Sequence, residues 1–585
     1  MDVYRYFREE VTKIIKSLSD KKLLAADLDI TKVQFEPPKD PTHGDIATNI
    51  AMLLSKSVKM KPHKLACLIT EELNKMDEVS SVSVAGPGFI NLKLTDYFWH
   101  EQLREVLSQG DAYGSSDMGN LKKVNVEYIS ANPTGPLHIA HARGAVFGDV
   151  ISKILEKVGF LVTKEYYIND AGTQINELGR SAYLRYKEAL GEKIGEIPEG
   201  LYPGKYMIPI GQALANTYGN KWRTEDEQAW LEIFSKFSVN KMMELVKEDL
   251  NALGICQDVF TSERDLLDSG KVEATLNFLT SKDLVYTGTL PPPRGKPQQD
   301  DWEARPQLLF KAMNFGDDTD RPLQKVDGEW TYFASDIANH HDKFRRGFGR
   351  LINVWGADHG GYINRMRAAV TAVTDGQSHL EVKICQLVHL KKNGKLVRMS
   401  KRAGNFVTLR DLIDEVGKDV VRFMMLTRNN DSQMDFDLTK AVEQSRENPV
   451  FYVQYAHARC CSILRHAREE FTHADLDIKN LACVELTQIV DSSELTLIKM
   501  LAGWPRIIEG AAIALEPHRI AFYLYNLASQ FHSLWNKGKD NAHLRFINLE
   551  NRELTMSRLA LTEGLRVVIA SGLNVMGVTP VEELR

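Results

Sequence analysis

The feature that most constrains this chain is a stretch of local grammar starting at Val124. An apolar run (Val124 to Ile129) leads to a loop rich in glycine and proline (Ala131 to His141), a helix-patterned run (Ala142 to Phe160) and a second apolar run (Leu161 to Ile168). Parallel strands need a crossover of a dozen or more residues, usually a helix, so this order predicts a βαβ unit. It returns at Leu351 to Gly356, with a glycine-rich loop and a helix-like run behind. A doubly wound, mainly parallel α/β sheet is expected, with a long polar insertion at about residues 176–320 that holds PPPRGKPQQDD. Ligands of open sheets sit beyond the carboxyl ends of the strands, which is where Glu127 falls.

At roughly 100 to 200 residues per domain, 585 residues predict about three to five domains. Residues 1–112 join helical stretches to a strand-like end in which Val82, Val84, Ile90, Leu92 and Leu94 keep period two around Gly86-Pro87-Gly88, which predicts a small α+β domain. Residues 113–375 form the sheet domain and 376–440 a connecting region. Residues 441–585 turn to amphipathic helices, as where Ile520, Tyr523, Leu524, Leu527, Ala528, Phe531, Leu534 and Trp535 recur at three-and-four spacing behind Pro517. No run of about 18 apolar residues could cross a bilayer, and the opening MDVYRYFREEVTK has no apolar core, so a cytoplasmic location is expected. Cys67, Cys256, Cys385, Cys460, Cys461 and Cys483 include no CxxC pair, so neither structural zinc nor a disulfide framework is expected. With 73 Lys+Arg against 78 Asp+Glu, a net charge of −5, a nucleic-acid partner would have to meet local basic patches. Lys343 to Arg350 and Lys391 to Lys395 are the candidates.

His138-Ile139-Ala140-His141 stands where a helix is expected to start, after a turn holding Pro133, Gly135 and Pro136. Two imidazoles three apart share a face of the first turn, where unpaired N–H groups and the helix dipole already favour an anion. The pattern suits a phosphate whose charge grows in a transition state. By itself an HxxH pair is weak. A second element, Arg398-Met399-Ser400-Lys401-Arg402, lies in the glycine-flanked loop KKNGKLVRMSKRAGN, whose flexible backbone can bring the Lys401 ammonium onto a triphosphate. A cationic substrate is suggested by Glu127, a carboxylate in an apolar strand that needs a partner. Tyr332 and Asp336, four apart, share a face if TYFASDIAN is helical. Two carboxylates and a phenol suit a guanidinium, whose planar fork takes bidentate hydrogen bonds.

Together and in this order, the two elements resemble the HIGH and KMSKS signatures of class I aminoacyl-tRNA synthetases, and the chain as a whole resembles the arginyl-tRNA synthetases. VEYISANPTGPLHIAHARGA, EYYINDAGTQ, TYFASDIAN, GADHGGYINR, VRMSKRAGNFVTLRDL, ENPVFYVQYAHAR and GLNVMGV carry the likeness over nearly the full length. The resemblance implies that L-arginine is activated with ATP and Mg2+ to arginyl-adenylate and passed to the 3′ end of tRNA(Arg). It implies a class I Rossmann-like catalytic domain between an N-terminal α+β domain and an all-α C-terminal anticodon-binding domain. By resemblance, Glu127, Tyr332 and Asp336 hold the guanidinium, and Ser130, Asn132 and His359 lie along the amino and carboxylate end. His138, His141 and Lys401 would handle the ATP phosphates, with Gly356, Asp358 and Met399 also on ATP. Asn91 is expected at the tRNA elbow, and Gln454, Tyr455 and Arg459 in the anticodon-binding domain. The expected partners are tRNA(Arg), L-arginine and ATP, without a membrane, and the expected state is a monomer.

Departures from the family pattern are Ala140 where glycine is usual, and Arg398 and Arg402 in place of lysine and serine; Lys401 is kept. Gly135 stands where members lacking that lysine carry a compensating one, and Gly360 follows His359. The nearest rival is a class I enzyme for another amino acid, lysine above all; cysteine is disfavoured because no thiol/His cluster accompanies the HIAH block. A catalytically silent tRNA-binding paralogue is the other, and intact His138, His141 and Lys401 count against it.

Overall fold

The computed structural model describes residues 2–25, 28–290, 306–325, 327–397, 407–445, 447–471 and 475–584. Arg398, Met399, Lys401 and Arg402 lie outside the described residues. The chain opens with the helix Val3–Asp20, capped by the Asp2 carboxylate on the Tyr4 amide, which buries Val3, Phe7, Val11, Ile15 and Leu18 along one stripe. Strands β1 (Phe35–Glu36), β2 (Ile46–Thr48), β3 (Val79–Ala85) and β4 (Phe89–Leu94) form an antiparallel sheet in the order β1-β2-β4-β3. The turn between β3 and β4 places Gly86 and Gly88 at φ +53° and +141°, and pairs Val82 with Leu92 and Val84 with Ile90.

The central sheet uses β5 (Lys123–Tyr128), β6 (Leu161–Ile168) and β7 (Val259–Ser262). After a small antiparallel sheet of β8 (Val285–Gly288), β9 (Gln307–Phe310) and β10 (Arg321–Pro322) come β11 (Arg350–Gly356) and β12 (His379–Cys385). The five long strands are parallel in the order β12-β11-β5-β6-β7. The chain leaves β5 in one direction and returns on its other side at β11, so the carboxyl ends of these two strands flank the crevice of a doubly wound sheet. The helix Ile139–Lys157 packs closely on one face: a Cβ on Gly148 would stand 2.2 Å from Cγ of Tyr128. The helix Tyr332–Arg345 covers the other, where Asn125, Glu127, Glu165 and Asn353 make a polar layer in place of an apolar one.

Beyond the sheet, β13 (Val388–Lys392), β14 (Lys395–Leu396) and β15 (Met434–Asp437) form a further small sheet. Long helices follow at Pro449–Glu470, Ser492–Ala502, Trp504–Ala514, His518–Asp540 and Arg552–Met576. The helix His518–Asp540 buries the expected apolar stripe except Trp535, which stays half-buried. The helix Arg552–Met576 is long and apolar enough to span a membrane, yet 83% of that window is buried, so packing accounts for its character. The N-terminal region docks on these helices through Lys499 Nζ to Asp45 Oδ1 at 2.5 Å, Arg5 to Glu509, and Tyr113 OH to the Leu501 carbonyl at 3.2 Å. Arg422, fully buried, is the junction of four segments. Its guanidinium pairs with Asp149 at 2.5 Å and donates to the carbonyls of Met576 and Leu253 at 2.8 and 3.1 Å.

Candidate active site

The site begins where β5 ends. Ile129 and Ser130 turn the chain through the left-handed region, at φ +75° and +37°, a conformation disfavoured for a β-branched residue and held only by its surroundings. The turn lets Ser130 Oγ donate to Glu127 Oε1 at 3.2 Å while accepting the Tyr167 amide at 3.0 Å. Glu127 Oε2 takes the ammonium of Lys343 and the Asn339 amide at 3.3 Å. Glu127 is therefore already compensated: its partner Lys343, from the covering helix, is completely buried. The same layer holds Glu165, which accepts both contacts of Arg346 at 2.8 and 2.9 Å. Burial would raise the Glu165 pKa, but Lys343 and Arg346 outweigh it and hold the carboxyl down at about 2.

Of the basic run Lys343 to Arg350, three members have partners within the fold, while Arg345 stays exposed. Lys343 and Arg346 serve the buried carboxylates and Arg350 pairs with Glu381 at 2.6 Å, because the basic run ends a helix that lies on a polar sheet face. In the second cluster Lys391 and Lys392 likewise pair with Asp435 and Glu415 at 2.7 and 2.8 Å.

Tyr332 and Asp336 do sit on a helix, which starts at Tyr332 behind the Thr331 cap. Asp336 Oδ2 accepts the Tyr362 hydroxyl at 2.7 Å, and burial pushes its pKa up to about 7 against that hydrogen bond, with Glu263 and Glu127 adding to the rise. Its backbone carbonyl is bonded to His340 Nδ1 at 2.8 Å; burial lowers the His340 pKa to about 4, so the neutral ring donates there and accepts Asn353 Nδ2 at 2.9 Å through Nε2. Tyr332 is 51% exposed, and its hydroxyl lies 2.9 Å from where a Cβ on Gly172 would project, so a side chain there would push the phenol aside.

A third acid escaped the sequence reading. Glu263, 3% exposed at the start of a short helix after β7, has Oε2 without a hydrogen-bond partner among the described residues. Burial raises its pKa to about 7, partly offset by a hydrogen bond from Ser335. Glu263 and Tyr332 both line a cleft of about 1280 Å³ that also reaches Asp170 and Gly172. The one local signal of this placement in the sequence is its position directly after a strand, in TSERD.

Toward the other end, Asn132 is held by Gln174 and Asn169 at 3.0 and 3.1 Å. His138 is the N-cap residue of the helix Ile139–Lys157, and its ring stacks on that of His141 with centroids 3.9 Å apart. The His138 amide donates to His141 Nδ1 at 3.2 Å, so the neutral His141 ring carries its proton on Nε2. Gly356 closes β11, and Asp358 and His359 follow it, exposed and 3.5 Å apart. A Cβ on Gly356 would meet Asp358 Oδ1 at 2.6 Å.

The residues expected at tRNA divide. Tyr455 and Arg459 form one surface cluster in which the guanidinium lies over the rings of Tyr455 and Trp535, at 4.3 and 4.9 Å, and bonds His532 at 2.8 Å. Trp535 and His532 belong to a distant helix, so sequence spacing did not reveal them. Gln454 is tied to Asp419 and the Thr579 carbonyl. Asn91 is 6% exposed in the middle of its sheet, whose outward-facing residues on that strand are Phe89 and Lys93.

Three family descriptions match: "Arginyl tRNA synthetase N terminal domain" over residues 5–94, "tRNA synthetases class I (R), catalytic domain" over 102–193, and "DALR anticodon binding domain" over 453–584. The arginine–tRNA ligase of Parvibaculum lavamentivorans is 56% identical over 585 residues, covering all of both chains. That of Azorhizobium caulinodans is 55% identical over 589 residues, again with full coverage. The Thermus thermophilus arginyl-tRNA synthetase structure superimposes with a TM-score of 0.72 over the whole of both chains at 21% identity, a likeness of fold. The chain thus belongs to the arginyl-tRNA synthetases, class I enzymes with this family's N-terminal domain and helical anticodon-binding domain.

Proposed function

We propose that the protein catalyses arginine–tRNA ligation in the cytoplasm, with the following division of labour. Asp336, Tyr332 and Glu263 read the guanidinium, and Glu127 supports them from the polar layer below. The single observation that carries this assignment is the orphaned, buried Glu263 Oε2 in a cleft shared with Tyr332, beside Asp336: acceptors in excess of donors, which a planar five-donor cation would balance. Ser130, Asn132 and His359 lie along the amino and carboxylate end.

Mg-ATP enters as substrate. The arginine carboxylate attacks the α-phosphorus, pyrophosphate leaves, and a terminal ribose hydroxyl of tRNA(Arg) then takes the arginyl group and releases AMP. His138 and His141, at a helix N-terminus, together with Lys401, stabilise charge on the phosphates as it develops, while Gly356, Asp358 and Met399 border the nucleotide. No covalent enzyme intermediate is needed, so rate comes from positioning and charge stabilisation. Tyr455 and Arg459, joined by Trp535, offer stacking faces and a cation to the anticodon. The enzyme acts as a monomer.

The test is ATP–pyrophosphate exchange with each amino acid, with and without tRNA(Arg). Exchange with arginine alone, dependent on tRNA, is expected. Exchange driven by lysine, or none with any amino acid, would overturn the assignment, and rapid exchange without tRNA would refute the dependence.

A further inference from the structure

Arg143, 1% exposed, lies in the second turn of the helix that His138 caps. It has no carboxylate within ion-pair distance among the described residues. Its Nη1 donates to the carbonyls of Gln386 and Ser432 at 3.0 and 2.7 Å, and its Nη2 to that of Asn429 at 2.7 Å. Gln386 stands between β12 and β13, while Asn429 and Ser432 precede β15, which pairs in parallel with β13. The two segments also hold each other, Gln386 N to Asn430 O and Asn430 Nδ2 to Ile384 O, both at 2.8 Å. A separate backbone tie joins the same helix end to the chain beyond the second signature: His138 bridges Thr408, and the Leu409 amide donates to Leu137 O at 2.8 Å. Burying a guanidinium among carbonyls alone is costly, and an apolar side chain could fill the space. What the fork adds is geometry, because one rigid plane addresses two chain segments at once.

We propose that Arg143 is a positioning residue for adenylate formation, fixing the distance between the helix end that carries His138 and His141 and the sheet whose strands β14 and β15 flank the second signature in the chain. It acts through the elements it joins. The inference rests on the proposed assignment of His138 and His141 to the ATP phosphates. Transfer of arginine from a finished adenylate involves no departing pyrophosphate, so the two steps should respond differently.

The experiment uses the full-length Arg143→Met and Arg143→Lys enzymes with tRNA(Arg), each normalised by active-site titration. Single-turnover adenylate formation is compared with transfer from synthetic arginyl-adenylate. For Arg143→Met, adenylate formation per active site should fall about 100-fold, as a displacement of about 1 Å of reacting groups costs, with arginine KM and the transfer step nearly unchanged. Arg143→Lys should fall in between, because an ammonium is a point charge that cannot span both segments, and it carries the test if the methionine variant does not fold. Fewer active sites at normal per-site rates, an equal loss in both steps, or a wild-type Arg143→Lys would each overturn the proposal. His138→Ala is run alongside: if it leaves adenylate formation intact, the phosphate assignment itself fails. If His138→Ala is slow and Arg143→Met is not, only the inference about Arg143 falls.

Discussion

At the end of the site proposed for the amino acid, charge is carried by side chains locked beneath the edge of the sheet: Glu127 against Lys343, Asp336 against Tyr362, and Glu263 with one oxygen unpartnered among the described residues. At the phosphate end, the described groups are a helix N-terminus, two stacked imidazoles and backbone ties to Thr408 and Leu409. In the proposed assignment the first end meets a charge that never changes, so its acceptors can be set in advance, and burial lifts the pKa of Asp336 and Glu263 to about 7. The second meets charge that exists only while a bond breaks, so it needs donors aimed at a position rather than a stored counter-charge.

The sharpest way to break this contrast is to remove a stored charge. Glu127→Gln strands the buried Lys343 ammonium, so it should cost on the order of 3 kcal/mol of folding stability, read by denaturant unfolding. A fully stable Glu127→Gln enzyme would show that the layer beneath the site is not organised by that pair. At the phosphate end the corresponding loss is kinetic. Lys401→Ala should lower the rate of adenylate formation about 100- to 1,000-fold with arginine binding nearly intact, and Arg398→Ala about tenfold or less. If single-turnover measurements find Arg398→Ala the more damaged, the catalytic cation is Arg398.

Binding and its pH dependence test the acids directly. Asp336→Asn should weaken arginine by roughly 2 to 4 kcal/mol while the KM for ATP holds. In the parent enzyme Asp336 ionises at about 7, above its ordinary 3.8, so it holds its proton below that point and a guanidinium must displace it. The arginine KM should therefore rise as pH falls below about 7, by at least about tenfold per pH unit, because Glu263, also raised to about 7, shares the proposed pocket. A KM that is flat with pH, or that changes equally in Asp336→Asn, would remove Asp336 from the pocket.

The strand, turn and helix start that carry His138 and His141 were legible in the sequence because strand, turn, HxxH and helix are consecutive; the proposed phosphate role draws on the anion preference of any helix N-terminus. Tyr332 and Asp336 were legible for the same local reason, four residues apart on one helix. The partner of Glu127 was not: Lys343 stands 216 residues away, inside a basic run that reads like a solvated face. Nor was Glu263, whose burial depends on the meeting of β7, the cleft and the helix that begins at Tyr332. The surface cluster of Tyr455 and Arg459 was half legible, since Trp535 and His532 join it only through the packing of two helices.

The junction at Arg422 has a consequence for the order in which the molecule can be finished. Its partners come from residue 149 on the signature helix, residue 253 in the insertion, and Met576, 154 residues after Arg422 itself. During synthesis the guanidinium beneath the helix Ile139–Lys157 therefore stays one carbonyl short until the helix Arg552–Met576 has emerged and docked. Synthesis that stops before Met576 yields every catalytic group proposed above, on a scaffold whose central buried charge is never fully enclosed.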